Sequence, residues 1–159
     1  MLTLGSREGH SVSVVRQREI GYRHAMEAAG LAAEINICSI PVASPDREDG
    51  MRAFLSSADR PEAVFCWSDL DAVTLLNLAA EMEVRVPDDL AVIGYDNSPV
   101  AALSLINLSS IDQSGRALGM LATETLLSRI QGRKAPLALT NAPSFIARRS
   151  SLNGNAVKL

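Results

Sequence analysis

Arg18, Ser68-Asp69 and Asp96 are the positions where this chain could do chemistry, because each stands where an apolar strand gives way to a helix or a turn. A guanidinium and carboxylates gathered on one rim offer paired donors and acceptors to the hydroxyls of a small polar ligand. Each also has a plain structural use. Helix capping accounts for one of Ser68 and Asp69 without any ligand, leaving the other to face a cleft. Arg16 and Arg18 on one helix suit a solvated face, but the start of a helix that follows a strand puts Arg18 on the same rim as Ser68 and Asp96. Trp67, the only tryptophan, could stack on a sugar face; strand alternation points it opposite to Ser68 and favours packing between helix and sheet.

Catalytic patterns fail on detail. Gly9-His-Ser-Val-Ser13 sits where a hydrolase nucleophile elbow would, but the second glycine of that turn is replaced by Ser13. Gly5-Ser-Arg-Glu-Gly9 lacks both the lysine of a phosphate-binding loop and the third glycine of a dinucleotide fingerprint. His10, His24, Cys38 and Cys66 lack metal-ligand spacing, and the two cysteines lie in apolar surroundings that suit buried thiols. The expectation is a non-enzyme with no catalytic residue, no metal and no cofactor.

Elements must position the rim. At 159 residues and 47% hydrophobic the chain can fill one core. A net charge of −3, with no basic cluster beyond pairs such as Arg148-Arg149, gives no nucleic-acid footprint. No apolar run approaches the roughly 20 residues of a membrane span, and Met1-Leu-Thr-Leu-Gly5 lacks the charged start of a signal peptide, so a cytoplasmic chain without membrane contact is expected. Short apolar runs alternating with helical periods predict an α/β layered fold with a parallel sheet. Strands are expected at residues 2–4, 35–40, 63–67 and 90–95, and helices at 14–29, 46–58, from 68 or 69 onward, and 114–131. In the third helix Ala72, Leu75, Leu76, Ala79 and Ala80 have the spacing of a buried face. Residues 98–113 read as a helical turn and an extended crossover, and Leu118, Leu121, Ala122, Thr125, Leu126 and Ile130 give the last helix an apolar face in need of a partner. Within Arg85–Asn97, Pro87 and two aspartates turn the chain, Leu90 to Ile93 form a buried strand, and Gly94 releases the backbone toward Asp96. Ligands of open α/β sheets sit beyond the carboxyl ends of the strands.

Five segments in order carry a resemblance: Arg16-Gln-Arg-Glu-Ile-Gly-Tyr22, Arg60-Pro-Glu-Ala-Val-Phe-Cys-Trp-Ser-Asp69, Arg85-Val-Pro-Asp-Asp89, Val92-Ile-Gly-Tyr-Asp-Asn97 and Arg148-Arg-Ser150. Together they resemble the carboxyl-terminal part of the effector domain in the lactose-repressor/galactose-repressor (LacI/GalR) family of bacterial transcription regulators. The resemblance implies a truncated lobe of the periplasmic-binding-protein type, with residues 1–113 as the second lobe lacking its first strand-helix unit. Residues 114–132 would be a helix that packs on the first lobe, 133–151 a return segment and 152–159 a frayed tail. It implies effector binding by Arg18, Ser68 and Asp96, with Asp69 and Trp67 as further candidates, and a small polar ligand such as a sugar. Operator DNA would be read only by an amino-terminal domain outside this chain. Departures from the family pattern fall at Ser68, at Ala43-Ser-Pro-Asp46 and at Ile106-Asn-Leu-Ser-Ser110. The stripped apolar helix face predicts a homodimer, and the missing lobe predicts that this chain alone binds effector weakly or not at all. The alternative is a fragment of a periplasmic sugar-binding protein that serves transport.

Overall fold

The computed structural model describes residues 2–4, 12–40 and 46–152, with side chains described over 14–40 and 47–152. The glycine loop at residues 5–9, the segment 43–45, the first residues of the Gly9–Ser13 motif and the tail from residue 153 lie outside the described residues. The elements run β1 (Leu2–Leu4), α1 (Val12–Ala28), β2 (Cys38–Ile40), α2 (Asp46–Ser56), β3 (Ala63–Phe65), α3 (Asp69–Glu81), β4 (Ala91–Tyr95), β5 (Ser109–Asp112), α4 (Gly115–Ile130) and β6 (Ser144–Ile146). Short 3-10 turns lie at Ala32–Glu34, Pro99–Ala102 and Arg149–Ser151.

The α/β layering holds, with more strands than expected. β1 pairs with β2 in parallel, and β3, β4, β5 and β6 form a second sheet in that order. β3, β4 and β5 are parallel, and β6 returns antiparallel to β5. Residues 109–112, read from sequence as part of a crossover, are thus an internal strand. Serines at 109 and 110 hid it, since a buried strand is ordinarily apolar; here both are fully buried and hydrogen-bonded.

Local chemistry sets the helix ends. α1 and α4 stop at Gly30 (φ 74°) and Gly132 (φ 107°), where the following amides, Leu31 and Arg133, reach back to the carbonyls of Met26 and Ser128 at 2.8 and 3.0 Å. Ser68 is the N-cap of α3, its Oγ accepting from the Asp71 amide at 3.2 Å. Within α3, Ala72, Leu75, Leu78 and Ala79 are buried, while Leu76 is partly buried and Ala80 is exposed. The buried face is therefore turned slightly from the expected one. It packs with Val64 and Val92 of the sheet and with Met51 and Leu55 of α2 in one apolar cluster. Among the described residues no helix is long and apolar enough to cross a membrane.

Two polar clusters tie the sheet together. Asp69, 1% exposed, accepts from the Ser98 amide (2.6 Å), the Ser98 hydroxyl (2.8 Å) and the Ser110 hydroxyl (2.5 Å). The Arg148-Arg-Ser150 segment clasps the other side: Arg148 donates to the Leu108 carbonyl and to Asn97 Oδ1, each at 2.7 Å, and the Ser150 hydroxyl donates to the Val92 carbonyl at 2.6 Å. α4 contrasts with all of this. It has no buried residue, and Leu118, Leu126 and Ile130 are 42%, 60% and 73% exposed.

A Cβ on Gly94 would land on the Asp69 carboxylate and 2.9 Å from Leu108 Cδ2. Gly94→Ala is therefore expected to lose about 1–3 kcal/mol of stability, read as a lower urea midpoint with unchanged slope.

Candidate functional site

The carboxyl ends of β3 and β4 bring Trp67, Tyr95 and Asp96 together, and α1 lays Arg18 across them. The Arg18 guanidinium carbon stands 3.7 Å from the Tyr95 ring centroid and 4.5 Å from that of Trp67. Its Nη1 donates to the Trp67 carbonyl at 2.5 Å, and its Nη2 lies 4.0 Å from Asp96 Oδ1. With its side chain only 13% exposed, Arg18 is held by ring faces and a backbone acceptor rather than solvated. A guanidinium over an aromatic face is worth about 0.5–2 kcal/mol as it loses water.

Asp96 is the exposed partner, its side chain 43% accessible. It has φ 107°, and Asn97 follows at φ 46°, so two non-glycine residues in the left-handed region turn the chain at the strand end. Such conformations carry a cost, and they cluster where a side chain must be aimed. Gln113 Nε2 donates to Asp96 Oδ1 at 2.6 Å. Partial burial pushes the Asp96 carboxyl up, with Asp69 and Asp71 adding to the rise while Arg18 and Gln113 oppose it. Further along the rim, Arg47 of α2 pairs with Asp71, which also accepts from the Ser68 hydroxyl at 2.7 Å. Burial pushes the Asp71 carboxyl up as well.

Arg18 and Asp96 are thus brought together, and Trp67 joins them through its ring and its carbonyl. Trp67 is half-buried against Arg18 of α1, a contact between helix and sheet of the kind expected for it. Ser68 lies on the same rim, its hydroxyl engaged in the cap and with Asp71. Asp69 is a correction: its carboxylate faces the interior and holds Ser98 and Ser110, because a helix-start carboxylate beside a glycine strand turns inward where donors satisfy it. Tyr95, Gln113 and the Arg47–Asp71 pair were not anticipated. Tyr95 was legible beside Asp96, whereas Gln113 meets Asp96 from 17 positions away without local periodicity to mark it. The thiols offer no chemistry here, since burial pushes both Cys38 and Cys66 up. Among the described residues no cluster of histidine, cysteine and acidic side chains could hold a metal.

Removing the guanidinium by Arg18→Met should cost roughly 1–2 kcal/mol. It should also red-shift Trp67 emission and raise its quenching by acrylamide, a direct reading because Trp67 is the only tryptophan. For Asp96 the folded carboxyl titrates above its unfolded value, so stability is highest with it protonated and falls as pH rises through the folded pKa. Asp96→Asn should raise the urea midpoint at neutral pH modestly, given solvent screening, with the gain vanishing under acid conditions where the wild-type carboxyl is protonated.

A family model described as "Periplasmic binding protein-like domain" matches residues 2–151. The chain is 35% identical over 132 residues to the HTH-type transcriptional repressor PurR of Photobacterium profundum, covering 82% of this chain and 40% of the relative. It is 38% identical over 122 residues to the ribose operon repressor of Haemophilus influenzae, covering 75% and 36% respectively. The chain therefore spans well under half the length of these curated relatives. Among solved structures, a LacI transcriptional regulator from a Rhodococcus species superposes with a TM-score of 0.79 at 25% identity over 94% of this chain and 55% of that one. The complex of the transcriptional regulator CelR with cellobiose gives 0.75 at 29% identity, over 94% and 46%. These relatives are regulators, not enzymes. With the family match running over nearly the whole chain, the protein belongs to the periplasmic binding protein-like domain family, in the form that makes the effector-binding domain of LacI-family regulators.

Proposed function

We propose that this chain is one wall of the effector site of a cytoplasmic transcriptional repressor, and that its ligand is a sugar or a similarly small polar molecule. The Arg18–Asp96 pair carries the reading: a desolvated, stacked guanidinium beside a half-exposed carboxylate at the mouth of a parallel sheet. Such a pair presents a donor and an acceptor at fixed spacing, which suits adjacent hydroxyls. Trp67 adds an apolar face for a sugar ring to lie against, and Ser68 stands beside it on the rim. The named complex of CelR with cellobiose, and a Lactobacillus casei LacI-family regulator with bound sucrose, support a saccharide. The names of the curated relatives favour regulation over the transport alternative.

In this reading the protein is a switch. A ligand shifts two lobe arrangements only by its differential affinity for them, and the opposite wall would come from a first lobe outside this chain. Operator DNA would be bound by a further amino-terminal domain. The exposed apolar face of α4 is large for a solvated helix, and we infer that the isolated chain covers it by forming a homodimer.

Nuclear magnetic resonance titration with ribose, cellobiose, sucrose and hypoxanthine tests the site. A saccharide should move the Trp67 indole and Asp96 amide signals saturably with a millimolar Kd, and Arg18→Met should abolish the response. Shifts confined to other regions would defeat the site, and low-micromolar affinity would defeat the half-site reading. Light scattering should give a dimer mass that Leu126→Glu together with Ile130→Glu returns to monomer.

A further inference from the structure

Two pairs of side chains cross-link the exits of β4 and β5. Gln113 Nε2 donates to Asp96 Oδ1 at 2.6 Å, and Asn97 Nδ2 donates to Asp112 Oδ2 at 3.2 Å. Immediately downstream the chain enters α4. Ser114, at φ 55°, is its N-cap residue, and its amide donates to Asp112 Oδ1 at 2.6 Å. The return segment joins the same point, since Asn141 Nδ2 approaches the Gln113 carbonyl at 3.4 Å. α4 buries no residue of its own, and its amino-terminal end meets the sheet at this short joint.

We propose that Gln113 is a positioning residue of the effector site, whose side-chain amide aims the Asp96 carboxylate and ties its occupancy to the root of α4. The inference rests on the effector reading of Arg18 and Asp96. Gln113 is the neutral donor on a carboxylate faced by Arg18 from α1 and, at longer range, by Asp69 and Asp71 from α3. Two of those three neighbours repel it, so a charged Asp96 depends on Arg18 and on the amide. Among the described residues Oδ1 is the oxygen engaged, which leaves Oδ2 to a ligand hydroxyl. A donor arriving there restricts rotation of the carboxylate, keeps Oδ1 on the Gln113 amide, and so steadies residues 113–115.

Amide hydrogen exchange at residues 114–118, corrected for its intrinsic pH dependence, tests the joint without a ligand. Gln113→Ala should speed exchange there by about tenfold relative to the body of α3. Gln113→Glu should match the wild type in mild acid, where a protonated carboxyl can still donate to Asp96, and match Gln113→Ala at alkaline pH, where two carboxylates repel. A merely space-filling side chain would show no such pH response. Its absence, or wild-type exchange in Gln113→Ala, overturns the proposal; Gln113→Glu compared with itself at two pH values controls for any general loss of fold. Adding cellobiose should slow exchange at 114–118 in the wild type but not in Gln113→Ala. Slowing in both variants alike overturns the coupling, while no response to cellobiose, ribose or sucrose alongside an intact pH response counts against the effector reading alone.

Discussion

The Asp69 carboxylate is the constraint on which the rim depends. It begins α3, lies 1% exposed, and collects three donors from the loop after β4 and from β5. A buried carboxylate without such partners would be strongly unfavourable, so its presence dictates what surrounds it. Position 94 must be glycine-sized, because its missing Cβ is the room the carboxylate occupies. Ser98 and Ser110 must be hydroxyl-bearing, and the chain between Tyr95 and Ser98 must turn sharply to bring their donors in. The positive φ of Asp96 and Asn97 is that turn. In this way an interior polar cluster aims an exterior carboxylate.

Arg18 depends on the same geometry from the other side. Its guanidinium would be a poor ligand-binding group if it swung freely, since ordering a long side chain costs entropy. The rings of Tyr95 and Trp67, with the Trp67 carbonyl, restrict it before any ligand arrives. Asp96 is near enough to attract it, yet at 4.0 Å the pair is not closed into a tight bidentate bridge. Such an arrangement keeps donor and acceptor available while holding them in register, which is what preorganised recognition requires.

The rim and α4 are held very differently. The core gathers around α2, α3 and the sheet, while α4 presents Leu118, Leu126 and Ile130 to solvent. A rigid rim and an uncovered helix meet within the few residues from Asp112 to Gly115. Geometry at that junction therefore matters both to how Asp96 is held and to where α4 points.

Composition and period by themselves determined the layered α/β class, the helix stops at Gly30 and Gly132, a cap at Ser68 or Asp69, and the strand that delivers Asp96. These follow from local rules in which a residue's neighbours in sequence are also its neighbours in space. The family match was legible from five ordered segments, and with it the placing of Arg18 and Asp96 on one rim. Tertiary structure alone decided that Asp69 faces inward, that Ser109 and Ser110 lie in a buried strand, and that Trp67 and Tyr95 hold one guanidinium. It alone brought Gln113 to Asp96 and Arg47 to Asp71. Those outcomes turn on contacts between residues far apart in the chain, where a polar side chain's direction is set by which donors the fold brings within reach, and no local period records that.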